Sequence, residues 1–438
     1  MSSETAFSLA LTGDSMITRR ASVYGGQIGK ILKIIKDADV AFTNLEIVPN
    51  DFQGYPAKES GGSHLAAHSY VLDDLLEIGF DLFATATNHS LNYSIPGLLA
   101  LIDILNQRGA TFAGIGRNLA EARMPAYFDH PAGTIALLSC ASSFAKGQEA
   151  SEQRTDMLGR PGLNPMRFDR IFEITPEQMA TLKEIAEEIE VERTRRETIQ
   201  LGFGFPPDSP DIFPFLDASF RESNTPGVHT SPKAKDLDGI SQWVREARVR
   251  ADTVLVSLHA HEQWHNNEEP AEFIPSFAHR MIDEGADVVV MHGPHLLRGI
   301  EIYRGKPIFY SLGNFFAQNE LVYQLPSDSY DTFRIDYSAT PGEVYSTRSQ
   351  HDRKGFPSDH RYWETIVPLC HFDQNQLVRV EIVPVSLGLG QPSHRRGRPR
   401  LAEGDEATAI LERLAKLCEP YGTRLDIRDG RANIAVGA

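Results

Sequence analysis

Short apolar segments of strand length recur along this chain, and each one ends in polar or charged residues. At residues 285–316 such a run is followed by His292 and His295, on either side of a Gly-Pro turn. The length and β-branched content of the run predict a buried strand. Amphipathic segments typical of helices separate most of the runs, for example at residues 98–105 and 275–282. This alternation predicts an α/β fold whose parallel strands are joined by crossover helices.

The predicted strands end in residue types that bind metal ions. In open parallel sheets, ligand sites form at the carboxyl ends of the strands, so side chains that follow different strands can converge. Carboxylate, amide oxygen and imidazole suit divalent first-row metals, and a set without cysteine argues against a structural zinc site. The strands are expected at residues 7–11, 39–43, 80–86, 253–258, 288–290 and 306–310. The residues that follow them are Asp14, Glu46, Asn88, His89, His259, His292 and His295.

Taken singly, each of these residues has a purely structural alternative. Asp14 and Asn44 could cap helices, since Asp and Asn are common at that position. A glutamate at a strand end, such as Glu46, is usually solvated, and a histidine after an apolar strand is usually held by hydrogen bonds. In the last strand-end segment, Tyr310 and Asn314 are expected to hold the loop and not to react. Only the ordered set as a whole favours a metal site.

The ordered motifs resemble the bacterial capsule-synthesis protein CapA family, which is associated with poly-γ-glutamate synthesis and belongs to the calcineurin-like metallophosphatase superfamily. The resemblance extends from about residue 7 to a predicted helix at residues 409–414, and it implies a four-layer α/β/β/α sandwich. The matching segments are residues 13–16 (GDSM), 44–46 (NLE), 88–89 (NH), 159–165 (GRPGLNP), 259, 285–295 and 310–315 (YSLGNF).

The resemblance also implies a role for each matching residue around two divalent transition-metal ions, Mn, Fe or Zn. Asp14 would be a terminal ligand and Glu46 a carboxylate that bridges the two ions. Asn88 would bind through its side-chain oxygen, and His89 would be the catalytic acid beside the scissile bond. The residues that would complete the metal shells are His259, His292 and His295. Additional candidate site residues are Asn44, His261, Glu262 and Asn92.

The chain departs from the family pattern at several of these positions. Met16 stands two residues after Asp14, where superfamily phosphatases usually have a histidine, and this predicts a thinner shell for one metal. Asn92 stands where an aspartate usually orients His89; an amide can accept the ring's hydrogen bond but adds no charge. His261 follows His259 closely and is either an extra ligand or a substrate-cleft residue. Met291 and Gly293 replace a glycine and a further histidine.

The composition along the chain predicts one main domain with additions. We expect a metallophosphatase-like catalytic domain at residues 1–390, a largely helical insertion at about 145–235, and an extension at 391–438 packed on the same domain. Within the insertion, residues 175 to about 200 predict one amphipathic helix, which could form a lid over the site or merely pack on the domain.

Two further segments lie outside the motifs. Residues 340–359 predict a polar, strand-poor loop at the border of the cleft. The basic run at residues 394–400 predicts a solvated loop, with an anion-binding loop as the alternative.

Charge and hydropathy exclude several classes of partner. The net charge is −16 and the basic run has no interleaved aromatic residues, so binding to nucleic acid is not expected. No apolar stretch has the length that a bilayer requires, so we expect no membrane insertion and a cytoplasmic location. Three scattered cysteines do not indicate a disulfide framework. The oligomeric state is left open.

The expected function is that of a metal-dependent hydrolase that cleaves or processes an amide or γ-glutamyl bond. The substrate would be a small molecule, a peptide or a γ-glutamyl compound related to capsule or poly-γ-glutamate. Two alternatives stay open at this point. One is a phosphomonoesterase or phosphodiesterase, because two-metal sites suit phosphate chemistry. The other is a non-catalytic accessory protein of polymer synthesis with a degenerate metal site, which the changes at Met16, Asn92 and Met291 favour.

Overall fold

The computed structural model describes residues 6–21, 25–374 and 376–436, and its fold is mixed α/β, as predicted. The larger of its two main sheets has ten strands. Its strand Phe7–Met16 pairs in parallel with Val40–Asn44 and Asn314–Ala317, and antiparallel with Glu364–Asp373. The other strands of this sheet are Leu82–Ala84, Thr111–Ala113, Gln376–Ser386, Arg400–Leu401, Asp426–Arg428 and Arg431–Ala435.

The second main sheet has six strands and carries the histidine-bearing segments. Thr253–His259 lies between Val288–His292 and Gly133–Ala141 and is parallel to both. Lys306–Phe309 extends the parallel part, while Ile300–Tyr303 and Ala126–His130 are antiparallel edge strands. The backbone therefore directs the carboxyl ends of the central strands toward one edge of the sheet.

The buried apolar side chains form three large clusters. Because side chains alternate along a strand, neighbouring residues belong to different clusters. Leu255 packs in a cluster that contains Phe42 of the larger sheet, whereas Val256 packs with Val244 and Phe277 of two helices. A further cluster joins the larger sheet to the helices of the N-terminal region. These clusters are compatible with the layer order helix, sheet, sheet, helix, which stays a prediction.

The helices connect the strands and cover the sheets. The predicted helical segments at residues 98–105, 275–282 and 409–414 lie within longer helices, and all six predicted strands overlap observed ones. Among the described residues, no helix is both long enough and apolar enough to span a bilayer. The α-helices are Gly26–Asp37, Tyr70–Ile78, Ser94–Gln107, Leu119–Arg123, Pro176–Glu188, Val191–Gln200, Ala234–Arg250, Phe273–Asp283, Ser327–Phe333, Pro341–Arg348 and Gly404–Cys418.

The insertion differs from the prediction of a largely helical segment. It contains a four-stranded sheet of its own in addition to two helices. The single helix expected from residue 175 to about 200 is interrupted at Glu190, whose left-handed φ of 63° separates Pro176–Glu188 from Val191–Gln200. The strands of this sheet are Phe168–Ile174, Ile212–Phe215, Ala218–Glu222 and Gly227–Pro232.

The basic run also differs from the prediction of a solvated loop. Arg396 is only 2% exposed, and its guanidinium binds the carboxylates of Glu320 and Asp352 at 2.6 and 2.7 Å. The same guanidinium lies over the ring of Trp363 at 5.2 Å. Arg396 is therefore already bound by carboxylates of the chain itself and is not available to an external anion. The contacts of Arg396 with Glu320, Asp352 and Trp363 also hold the segment at residues 319–363 in place. This segment includes the short helix Pro341–Arg348, in a region that was predicted to be a loop.

Replacing Arg396 by alanine should destabilise the protein by about 1–3 kcal/mol, because Glu320 would lose its cation in a mostly buried setting. Urea-induced unfolding measures the change. Arg395→Ala is the matched control, since Arg395 is the exposed neighbour in the same loop and should have an effect within about 0.5 kcal/mol. Equal stabilities of the two variants would show that the buried ion pairs contribute nothing.

Candidate metal centre

Backbone pairing brings the ends of the strands of each sheet together. In the larger sheet, Asp14 lies opposite Asn44 on one side and Asn314 on the other. In the second sheet, His259 lies opposite His292. The ends of both sheets supply one polar, buried cluster, because Asn44 donates from Nδ2 to Asp14 Oδ1 at 2.7 Å and lies 3.3 Å from His259 Nδ1. The structure therefore places Asp14, Asn44, His259 and His292 close together.

The acidic and imidazole ligands divide into two groups. Within each group the candidate ligand atoms lie within 4.8 Å of one another. Glu46 stands between the groups, with Oε1 at 3.5 Å from His259 Nε2 and Oε2 at 3.5 Å from His295 Nδ1. The first group consists of Asp14, His259 and His292, and the second consists of Glu46, His261 and His295.

Of the two carboxylates of the cluster, Glu46 lacks the partners that a buried charge requires. Both oxygens of Glu46 are buried without a hydrogen-bond donor anywhere in the part of the chain that the structure describes. Burial, together with the charge of Asp14, raises the pKa of Glu46 well above its usual value. Burial would also raise the pKa of Asp14, but the hydrogen bond from His295 and the nearby imidazoles lower it overall. A bound cation would compensate both carboxylates.

Ring nitrogen atoms of neighbouring histidines lie within hydrogen-bonding distance of one another. His259 Nδ1 lies 3.2 Å from His292 Nδ1, and its Nε2 lies 3.0 Å from both His261 Nε2 and Asn88 Oδ1. Burial lowers the pKa of His292 to about 4 and that of His261 to about 3, so both rings are neutral at pH 7. Neutral imidazoles offer lone pairs to a metal, and this donor set fits divalent transition-metal ions.

Neighbouring groups fix the orientation of the ligand rings. Ser257 Oγ contacts His292 Nε2 at 2.8 Å, which leaves Nδ1 to face Asp14. His295 Nδ1 lies 2.9 Å from Asn314 Oδ1. The backbone of His295 has a φ of 62°, a left-handed conformation that is strained for a residue with a Cβ atom. The strain and the hydrogen bonds together indicate rings held in place for a function.

Asn92 orients His89 although it carries no charge. The backbone N–H of Leu65 donates to Asn92 Oδ1 at 2.8 Å, which identifies that atom as the amide oxygen. His89 Nδ1 lies 2.8 Å from the same oxygen and therefore carries its proton. Burial lowers the pKa of His89 to about 4, so the neutral ring presents an unprotonated Nε2, 3.9 Å from Glu46 Oε1.

Glu262 lies beside the cluster but not in either ligand group. Its carboxylate accepts hydrogen bonds from Ser142 Oγ at 2.6 Å and Ser143 Oγ at 2.9 Å. Ser143 Oγ in turn accepts from the backbone N–H of His261 at 2.8 Å. Glu262 therefore supports the loop that carries His261, whose ring belongs to the second group and also lines the cleft, so both readings of His261 stay open.

A cleft of about 310 Å³ opens over the second ligand group. His89, His261 and His295 line it, and so does Met16, the residue that replaces the usual superfamily histidine. The segment at residues 340–359 borders the cleft, as predicted, and contributes two lining residues. Among the wall residues that sequence reasoning did not single out are Asn267, Asn319 and Tyr362, and Arg348 was placed only within the bordering segment, because none of the four belongs to a motif.

Comparisons with known proteins identify the relatives of this chain. The sequence model of the family described as "Bacterial capsule synthesis protein PGA_cap" matches residues 8–319. "Uncharacterized protein y4sH" of Sinorhizobium fredii is 32% identical over 434 residues, which cover 97% of this chain and 92% of that protein. "Capsule biosynthesis protein CapA" of Bacillus anthracis is 23% identical over 315 residues, covering 70% and 59%. "Probable polyglutamine synthesis accessory protein" of Mycobacterium tuberculosis is 39% identical over 92 residues, covering 20% and 24%.

The fold and the cluster at its strand ends define an α/β protein of the metallophosphatase-like type. Since the family match covers most of the chain, the chain belongs to the bacterial capsule synthesis protein family, the CapA family that its motifs resemble.

Ser257→Ala should weaken metal binding about tenfold, because loss of the hydroxyl frees the ring of His292. Titration of the metal-free protein with Mn²⁺ or Zn²⁺ measures the affinity. Thr253→Val is the matched control: it removes a buried hydroxyl from the same strand, and that hydroxyl has no hydrogen-bond partner among the described residues. An unchanged affinity in Ser257→Ala would exclude a role for Ser257 in orienting a ligand.

Proposed function

We propose that this protein is a metal-dependent hydrolase with a dinuclear site. The observation that carries the proposal is the pair of ligand groups with Glu46 between them, both of its oxygens buried and without a hydrogen-bond donor among the described residues. Such a carboxylate is costly unless a cation neutralises it. The ligands would be Asp14, Glu46, Asn88, His259, His261, His292 and His295.

The metal ions, when bound, would polarise the electrophile and make a water molecule nucleophilic near neutral pH. The proton transfers would be carried out by residues of the chain. His89 Nε2 is unprotonated and lies at the cleft, so it can accept the proton of the attacking water. The protonated ring can then donate the same proton to the leaving group. Asn92 holds the ring by its Nδ1–H during both steps.

We propose an amide or γ-glutamyl bond as the bond that is cleaved. Support comes from the family description as a capsule synthesis protein and from the name of the relative in Bacillus anthracis. In such a bond the leaving group is an amine, which needs a proton to depart, and His89 can supply it. Phosphoester hydrolysis uses the same ligands and is therefore tested beside it.

A non-catalytic accessory role is the second candidate. The Mycobacterium tuberculosis relative is named as an accessory protein, and Met16 adds a thioether to the cleft where superfamily phosphatases usually have an imidazole. In that role the bound ions would organise a binding surface for the polymer or its synthase.

The purified protein should contain about two transition-metal ions per chain after loading with manganese, iron or zinc. His292→Ala should lower the metal content and abolish turnover, because it removes one ligand of the first group. Elemental analysis measures the metal, and release of amine or phosphate from γ-glutamyl amides and phosphoesters measures turnover. His394→Ala is the control, since His394 is an exposed histidine in the basic run.

The two candidate roles predict different outcomes. Turnover that requires both metal and His292 would support the hydrolase and exclude the accessory role. Metal that binds normally without hydrolysis of any substrate would favour the accessory role. A protein that takes up no metal would contradict both the dinuclear site and the proposed chemistry.

A further inference from the structure

The cleft over the ligand groups continues into a second cavity. The second cavity has a volume of about 230 Å³ and shares four wall residues with the first. Phe356 and Tyr362, whose rings stack at 4.3 Å, form part of this shared wall. Phe356 also contacts the ring of His295 at 5.2 Å, so the wall reaches the metal centre itself. A ligand longer than one residue could therefore extend from the metal centre along both cavities.

The walls of the two cavities are positive although the whole chain is acidic. Among the described residues, no carboxylate lines the first cavity, and the one that lines the second, Glu320, is already bound by Arg396 at 2.6 Å. The cations on the walls are Arg348, which both cavities share, and Lys354, which lines the second. A locally positive cleft attracts anionic ligands despite a net charge of −16 on the protein.

Arg348 has no carboxylate partner among the described residues, in contrast to two other arginines near the cavities, Arg361 and Arg413. Arg361 binds Asp359 at 2.7 Å, and Arg413 binds Glu364 at 3.0 Å. Each of these cations is thus neutralised by the protein. The charge of Arg348 is left for a ligand.

The position of Arg348 is held by neutral contacts. Its Nη1 donates to Ser63 Oγ at 3.1 Å, and the guanidinium lies 5.2 Å from the ring centre of Phe333. No protein acceptor in the described ranges binds its Nε and Nη2 donors, which are the two that form a planar fork. The fork suits a carboxylate, which accepts two parallel hydrogen bonds.

We propose that Arg348 binds a carboxylate of an extended acidic substrate, with Lys354 available to a second carboxylate farther along the cleft. This inference rests on the proposed function only in treating the ligand as a substrate. The anion-binding site itself depends on the charges of the cavity walls. Arg348 lies on the wall that the two cavities share, and Lys354 lines only the second cavity, so the joined cleft offers cations at two positions, which suits carboxylates spaced along a chain. Arg348 would therefore select substrates that carry an acid group beside the bond at the metal centre.

Titration calorimetry with γ-linked triglutamate tests the proposal on the full-length, manganese-loaded protein. The wild type should bind the peptide, with an affinity that falls as salt is added. Arg348→Gln should weaken binding at least about tenfold, and Arg348→Lys should restore part of the loss because it keeps the charge without the fork. Arg353→Gln is the matched control, since Arg353 is exposed, lines neither cavity and should leave the affinity within about twofold.

Absence of peptide binding, or equal weakening in Arg348→Gln and Arg353→Gln, would overturn the proposal. Binding of inorganic phosphate that depends on Arg348, without binding of the peptide, would overturn it as well. Hydrolysis of the bound peptide is followed in the same samples. Arg348-dependent binding without hydrolysis would leave this inference standing and contradict the hydrolase. Hydrolysis with an unchanged KM in Arg348→Gln would support the hydrolase and contradict this inference.

Discussion

The site depends on two carboxylates that share a buried pocket without a compensating cation from the protein. Asp14 and Glu46 are both fully buried, and burial lowers the pKa of His259 and of His292, which disfavours the charged forms of these rings. Folding such a pocket costs free energy that neutral hydrogen bonds do not recover. We therefore expect metal binding and the stability of this region to be coupled, since the ion supplies the missing positive charge.

The backbone makes this concentration of ligands possible. The parallel strands of each sheet end at a common edge, so that short loops suffice to bring their polar residues together. Gly13 and Gly313 show how tight the assembly is, because a Cβ atom on Gly13 would lie 1.9 Å from the carbonyl oxygen of Gly313. The amide of Gly293 also points inward and donates to Asp14 at 3.2 Å. Small residues at these positions are thus a requirement of the geometry.

Much of the fold and of the ligand set could be predicted because both are encoded locally. An apolar run of strand length and the polar residue after it are visible in a few positions, as at residues 253–259. The strands of the insertion were missed because most of their side chains are only partly buried; every residue of Ile212–Phe215 has an intermediate exposure. The burial of Arg396 and the free charge of Arg348 could not be predicted, because both depend on residues far away in the chain. Likewise, only the packed structure shows that His261 lies near Glu46 and His295.

The ligand groups and the wall that the two cavities share come from different parts of the chain. The ligands follow strands of the two sheets, whereas Asn319, Arg348, Phe356 and Tyr362 all belong to the single connection between Asn314–Ala317 and Glu364–Asp373. A connection of this kind can change in sequence and length without moving the strands on which it begins and ends. Members of one family can thus keep the same residues at the strand ends while they differ in the residues that line the cleft. In this architecture, the cluster at the strand ends and the wall that faces it are encoded by separate segments of the chain.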